Sequence, residues 1–274
     1  MYRRGGNKLV PISQQEIPQE IIKELGAIRN INFPRQGHTS DVGIIDSEKG
    51  HFVLKRTRGE QYSEWLRRES SILKCLSQTP LRVPNVYQFI QHDDENEGIQ
   101  SWLLMEYLQG ETIRKILTHE NDSATRYNIL FDFGRSLRDL HATPCPDELK
   151  SGEKWLDSML KQAEYNLEHY KVDGTTALLE KLKNKKPTDF EQTLIHGDCT
   201  IDNFLVYEGR ISGIIDWSGG AYGDPRYDVS LAIRPKPNIF QSSKDHCAFF
   251  DGYGEKIITD EDYEYFKDGL NEFF

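Results

Sequence analysis

No stretch of this 274-residue chain approaches the roughly 20 consecutive apolar residues of a membrane-spanning helix. Its start, MYRRGGNKLV, has basic residues but neither the apolar core nor the small-residue cleavage site of a secretory leader. These two absences set the expectation of a cytoplasmic protein with no membrane partner. Cysteine is scarce and scattered. Cys75, Cys145, Cys199 and Cys247 form no CxxC pair, so neither a disulfide framework nor a zinc site is indicated. Positive charge is short as well: 34 Lys and Arg stand against 44 Asp and Glu, a net charge of −10. That balance argues against nucleic acid as the main partner and is compatible with a cationic ligand. Internal repeats and low-complexity linkers are lacking too. The remainder is ordinary for a globular chain, 37% hydrophobic and 28% charged. Its length suits one large domain or two modest lobes, and nothing in it indicates an oligomeric state.

The chain is organised around residues 194–217, LIHGDCTIDNFLVYEGRISGIIDW. This stretch starts apolar, breaks into a polar loop from His196 to Asn203, and resumes as two apolar runs around Glu208-Gly209. The pattern predicts a strand end, a loop, and a hairpin with arms at 204–207 and 210–215. In an antiparallel hairpin the start of the first arm lies beside the end of the second. Asn203 is therefore expected near Asp216, with Asp198 just upstream on the same loop. Two carboxylates and an amide carbonyl at one point are oxygen ligands that suit Mg2+ rather than zinc. A polar turn with solvated acids is the alternative that spacing alone leaves open. Cys199, next to Asp198, reads as a small filler rather than a nucleophile.

Ahead of this stretch, IPQEIIKELG reads as a short helix ending at Gly26. Residues 31–56 then read as strands joined by turns at 36–40 and 47–50. The first turn carries Gly37, Thr39 and Ser40, a composition able to set backbone N–H groups against phosphates. An ordinary hairpin turn has the same composition. The strand at 51–56 alternates and puts Lys55 on one face with Val53. Residues 62–77 have helical periodicity: Tyr62, Trp65, Leu66, Ile72, Leu73 and Leu76 make one stripe, and Glu69 falls inside it. A carboxylate on a buried face is costly unless paired. Lys55 is its natural partner; the alternative leaves the lysine at a strand end in solvent and the acid at the stripe's edge. Residues 83–90 and 99–107 complete about five strands, and 105–110 reads as a hinge.

Helices are predicted at 112–119, 123–141, 154–170 and 175–183. His141 reads as a helix-end residue near the C-terminal dipole, and KLKNKK at 181–186 as a solvated helix end. Gly223-Asp224-Pro225 is a turn before a helix, where Asp224 and Asp228 are expected to brace the loop by capping or hydrogen bonding. Residues 245–274 hold nine acids against two lysines, so most of the chain's negative charge is concentrated there. That raises the cationic-ligand reading above simple solubility.

Together these parts suit phosphoryl transfer: a lysine for nucleotide phosphates, oxygen ligands for Mg2+, and a carboxylate to orient an attacking hydroxyl. The chain resembles the aminoglycoside phosphotransferase family of kinase-like enzymes over nearly its full length. His196-Gly197-Asp198 with Asn203 five residues on, Ile214-Ile215-Asp216-Trp217, Gly223-Asp224-Pro225 with Tyr227-Asp228, and Leu140-His141 before Pro144 carry that resemblance. It implies an α+β, two-lobed protein-kinase-like fold: a small antiparallel-sheet nucleotide-binding lobe at 1–104, a hinge at 105–110, and a mainly helical catalytic and substrate-binding lobe at 111–274. It further implies Asp198 as catalytic base, Asn203 and Asp216 as magnesium ligands, and Lys55 with Glu69 as the phosphate-positioning pair. Gly37, Thr39 and Ser40 would cover ATP or GTP, Glu106, Tyr107 and Leu108 would line the adenine site with backbone groups, and His196 would pack the loop.

Within the family, HGDCTIDN and the ending Asn271-Glu272-Phe273-Phe274 look most similar to the kanamycin-type 3′-phosphotransferases. This implies Asp202, Glu272 and the Phe274 carboxylate as contacts to an aminoglycoside's amines. A metabolite kinase of the same fold, acting on an amino alcohol or sugar, is the alternative. A non-catalytic nucleotide-binding scaffold is disfavoured because Lys55, Asp198, Asn203 and Asp216 are all present. A protein kinase is disfavoured because HGD replaces HRD, IDW replaces DFG, and no A-P-E segment follows.

Overall fold

The computed structural model describes residues 11–34, 39–94 and 98–274. The chain divides into two compact units. One contains the described residues up to Gln78 together with Val83–Leu108; the other contains Thr79–Arg82 and Gln109–Phe274.

The first unit is a five-stranded antiparallel sheet with two helices. Helix α1 (Gln19–Leu25) leads into strands β1 (Ile28–Asn32), β2 (Asp41–Ser47) and β3 (Gly50–Arg58). Helix α2 (Glu60–Leu76) follows, then β4 (Val86–Asp94) and β5 (Gly98–Glu106), in spatial order β1-β2-β3-β5-β4. Ile21 and Leu25 of α1 close one core against Ile45, Leu54, Trp102 and Leu104. The stripe read from the sequence is the buried side of α2: Leu66, Glu69, Ile72, Leu73 and Leu76 are buried, and Tyr62 and Trp65 are half-buried. Arg56 is fully buried, lies 5.3 Å over the Trp102 ring, and pairs with Asp41 and Glu16. This fixes the segment before α1 to the sheet.

The second unit is mainly helical. It begins with β6 (Glu111–Thr112), α3 (Ile113–His119), α4 (Ser123–His141), α5 (Trp155–His169) and α6 (Thr176–Asn184). Strands β7 (Thr193–Ile195), β8 (Phe204–Tyr207), β9 (Arg210–Ile214) and β10 (Ala221–Gly223) follow, then α7 (Pro225–Ala232), α8 (Ser243–Tyr253) and α9 (Asp260–Phe266). The strands form two small sheets, β6-β8-β9 and β10-β7. Side chains of Thr112, Asp122, Thr175, Asp224, Ser242 and Thr259 each accept a hydrogen bond at a helix start, which is why these helices begin where they do. No helix among the described residues is long and apolar enough to cross a membrane.

Helices α4 and α8 meet backbone to backbone. A Cβ on Gly134 would lie 1.9 Å from the Phe249 carbonyl oxygen, and one on Gly252 would lie 1.9 Å from that of Phe131. This close approach brings His141 and Tyr253, at the C-terminal ends of the two helices, within hydrogen-bonding distance.

The C-terminal acids are dispersed. Asp245 pairs with Arg126 and Asp260 with Lys256, Asp251 accepts from the Tyr127 hydroxyl, and Asp268 pairs with Lys267. Asp262 is buried, caps α9 and pairs with Arg226, which also grips Asp224 and the Thr188 carbonyl. Four of the nine acids thus enter separate ion pairs and a fifth accepts from a hydroxyl. The last residues pack inward: Phe266, Leu270 and Phe273 join a core with Trp155, Leu179 and Tyr227.

Substituting Gly252→Ala inserts a methyl group where backbone already stands. Overpacking of this kind destabilises by about 1–3 kcal/mol, and urea denaturation of the purified variant is expected to show a lower midpoint with an unchanged slope.

Candidate active site

The loop after β7 is held from below by one carboxylate. Asp228, fully buried on α7, accepts from the His196 N–H at 2.6 Å and the Gly197 N–H at 2.8 Å. Its Oδ2 also lies 3.3 Å from His141 Nε2. Burial and the nearby Asp228 charge raise the Tyr253 pKa and keep its phenol protonated. That hydroxyl lies 2.8 Å from His141 Nδ1, so the ring is held with Nε2 facing Asp228. Gly197 has φ +77°, and a Cβ on it would lie 2.1 Å from the Gly219 carbonyl oxygen. Only glycine allows the loop to lie this close to the segment after Asp216.

His196 ties the two halves of the site together. It is fully buried, its Nε2 donates to the Ile215 carbonyl at 2.9 Å, and its Nδ1 accepts the Asp198 N–H at 3.2 Å. The ring packs on Trp217, with centroids 4.6 Å apart, and the Trp217 Nε1–H donates to the Ile214 carbonyl. One imidazole therefore sets the backbone before Asp198 against the backbone before Asp216.

The hairpin does what its spacing predicts. Phe204 pairs with Ile214, and the Ile215 N–H donates to the Asn203 carbonyl at 2.9 Å. Asn203 is thus placed one residue from Asp216 across the ladder. Its Nδ2 donates to the Asp198 backbone carbonyl at 2.7 Å and to Asp198 Oδ2 at 3.1 Å. With both hydrogens of that amide directed at Asp198, Oδ1 is the atom left to accept or coordinate. Asp216 is exposed and in the left-handed region, φ +68°, a conformation that aspartate tolerates better than most residues.

Asp198 is accessible to water, yet the dense protein around its carboxyl strips away much of its solvation. That dehydration raises its pKa, with the neighbouring Asp216 charge as the second cause. Burial likewise pushes the Cys199 thiol well above its ordinary range, and Asp228 and Asp198 add to the effect. Cys199 is therefore a filler and not a nucleophile at neutral pH.

In the first unit Lys55 Nζ reaches Glu69 Oε1 at 2.6 Å and Oε2 at 2.8 Å, with both residues buried. Thr39 is exposed and Ser40 buried; Gly37 lies outside the described residues. Strand β5 ends at Glu106, whose carboxylate accepts from the Asn85 N–H and side-chain amide. Glu106 thus turns its side chain back to Asn85, while Tyr107 and Leu108 follow the end of the ladder. In the second unit both oxygens of Asp202 are taken by the Arg114 guanidinium. Glu272 and Phe274 are half-buried, and the Glu272 carbonyl accepts from the Asp173 and Gly174 N–H groups.

The second unit thus sets Asp198, hydrogen-bonded to Asn203, beside a hairpin that ends at Asp216, and the first unit holds a buried lysine–glutamate pair of its own. Residues 30–262 match the phosphotransferase enzyme family. The chain belongs to that family. It is similar to an aminoglycoside 3′-phosphotransferase of Niallia circulans, 25% identical over 96% of this chain and 99% of that one. The fold is that of solved aminoglycoside phosphotransferases. The gentamicin–APH(2")-IIa complex superposes with a TM-score of 0.66 at 16% identity, over 90% of this chain and 83% of that chain. The streptomycin–ATP–APH(2")-IIa ternary complex does so with a TM-score of 0.62 at 19% identity, over 90% and 86%.

Three features of this phosphotransferase escaped the sequence reading. His141, read as a helix-end residue, does end α4, and its buried ring is also a partner of Asp228 and Tyr253. Arg114 claims Asp202. Arg234, just past α7, lies close enough to Asp198 to lower its pKa. The one available signal was Leu140-His141 at the end of a helix whose inner side is mostly apolar.

The raised Asp198 pKa has a stability consequence. A group whose folded pKa exceeds its unfolded value favours the fold when protonated; that contribution is lost as pH rises through the folded value. Asp198→Asn cannot ionise. With chelator present it is expected to melt above the parent at pH 8, a difference that shrinks toward pH 4. Equal melting at pH 8 contradicts the assignment.

Proposed function

We propose that this protein transfers the γ-phosphate of ATP or GTP to a hydroxyl of a small molecule in a Mg2+-dependent reaction. The observation that carries the reading is the convergence of Asp198, Asn203 and Asp216 on one braced loop and hairpin. Asp198 would accept the hydroxyl's hydrogen bond and orient it for in-line attack; its raised pKa suits a proton acceptor near neutrality better than an ordinary carboxylate does. Asn203 Oδ1 and the Asp216 carboxylate are hard oxygen donors and would hold the magnesium ion. The ion, when bound, neutralises charge on the phosphate oxygens. Lys55, fixed by Glu69, would position the nucleotide's phosphates. Thr39 and Ser40, with Gly37, would cover them, and the backbone of residues 106–108 would receive the base. Residues 105–110 would act as the hinge between a nucleotide-binding part at 1–104 and a catalytic part at 111–274. The ATP in the APH(2")-IIa ternary complex supports nucleotide use.

Aminoglycosides are the acceptor class that the relatives support, with the 3′-hydroxyl favoured by the N. circulans relative. Glu272 and the Phe274 carboxylate would meet the acceptor's amines. Asp202 would do so only by sharing its oxygens with Arg114. A metabolite kinase of the same fold is the second reading, favoured by the dispersal of the C-terminal acids into local ion pairs.

Turnover of ATP and GTP against a panel of aminoglycosides, amino alcohols and sugars tests the reading. Asp198→Ala is expected to lower kcat about a thousandfold or more with the circular dichroism spectrum unchanged, and chelation to abolish turnover. Near-normal phosphorylation by that variant rules out the role of Asp198. Expression in a sensitive bacterium is expected to raise the tolerated aminoglycoside concentration under the first acceptor reading and to leave it unchanged under the second.

A further inference from the structure

Two cations, Arg234 and Lys236, act on Asp198 or feel its charge. Arg234 and Lys236 lie on the segment leaving α7, the helix whose Asp228 anchors the loop. Lys236 is fixed by backbone: its N–H donates to the Ile239 carbonyl and the Ile239 N–H donates back, both at 2.9 Å. Asn238, inside that turn, has φ +63°, and Arg126 donates to its carbonyl at 2.6 Å. Arg234 Nε is buried and has no hydrogen-bond acceptor among the described residues. Neither Arg234 nor Lys236 forms an ion pair with a carboxylate among the described residues. Asp202, whose charge acts on Lys236, has both oxygens committed to Arg114. Burial, Arg234 and Arg114 all lower the Lys236 pKa, whereas Asp202 and Asp198 act to raise it, so the five groups share one neighbourhood. A buried guanidinium N–H without an acceptor beside a second dehydrated cation is unfavourable unless something anionic completes the pair.

We propose that Arg234 and Lys236 form an oxyanion-binding subsite beside Asp198, which takes a carboxylate or phosphoryl group. The proposal rests on the reading of Asp198 as the centre of phosphoryl transfer. The oxyanion has two chemical sources, an anionic substituent of the acceptor or the phosphoryl group being delivered. A guanidinium and an ammonium together suit either, the first by directed N–H donors and the second as a compact charge.

Inorganic phosphate titrated into the full-length protein by calorimetry tests the subsite without any need for turnover. Arg234→Gln and Lys236→Gln are each expected to weaken phosphate binding roughly tenfold, and the exposed Lys171→Gln to leave it unchanged. Identical phosphate affinity in the parent and in the double variant overturns the proposal. The source of the anion follows from kinetics. If Lys236→Gln raises KM only for hydroxylated acceptors that carry a carboxylate or phosphate, the anion belongs to the acceptor. If it lowers kcat for every acceptor with KM unchanged, the anion is the phosphoryl group in transit. A chain that turns over no acceptor undoes the phosphotransfer reading but leaves the phosphate titration standing.

Discussion

Asp228 has no contact with water and accepts from two consecutive backbone N–H groups, with an imidazole nitrogen alongside. A buried carboxylate is tolerated only when its lone pairs are satisfied, so its position and the loop's position determine each other. The consequences pass upward. The His196 backbone is fixed by Asp228, and its ring spans from the Asp198 N–H to the Ile215 carbonyl. Asn203 then reaches Asp198 from the hairpin. Phosphoryl transfer depends mostly on positioning and electrostatics, so a loop fixed by charge-assisted hydrogen bonds is the part of this protein that its chemistry most needs.

The same logic holds downward into the fold. His141 is oriented by Tyr253, and both are brought together by helices that touch at Gly134 and Gly252. Arg226, two residues before Asp228, is locked between Asp224 and Asp262. A helix–helix contact with no chemistry of its own thus bears on the loop that carries Asp198 through two hydrogen bonds.

Much of this was legible in the sequence where a short-range pattern carried it. Glu69 stood out because helical periodicity placed a charge on an apolar face, and the charge had to find Lys55. Asn203 and Asp216 could be paired because a hairpin fixes which residues face each other. The limits are equally physical. His141 lies 87 residues from Asp228 and 112 from Tyr253, and Arg114 lies 88 from Asp202. No local period relates such partners; only tertiary packing does. The acidic C-terminal segment illustrates the converse. Nine acids in thirty residues looked like one feature, but four of them enter separate ion pairs, and one of those four, Asp262, also caps a helix. The turn containing Gly37 lies outside the described residues.

The claim that Asp228 holds the loop carrying Asp198 is tested most directly by amide hydrogen exchange at His196 and Gly197 in the parent and in Asp228→Asn. Asparagine keeps the shape but exchanges one accepting oxygen for a donor that faces backbone N–H. The account predicts protected amides at both positions in the parent. In the variant it predicts exchange faster by at least tenfold at those two positions, with the amides of β8 and β9 still protected. Unchanged protection at His196 and Gly197 in Asp228→Asn would contradict it.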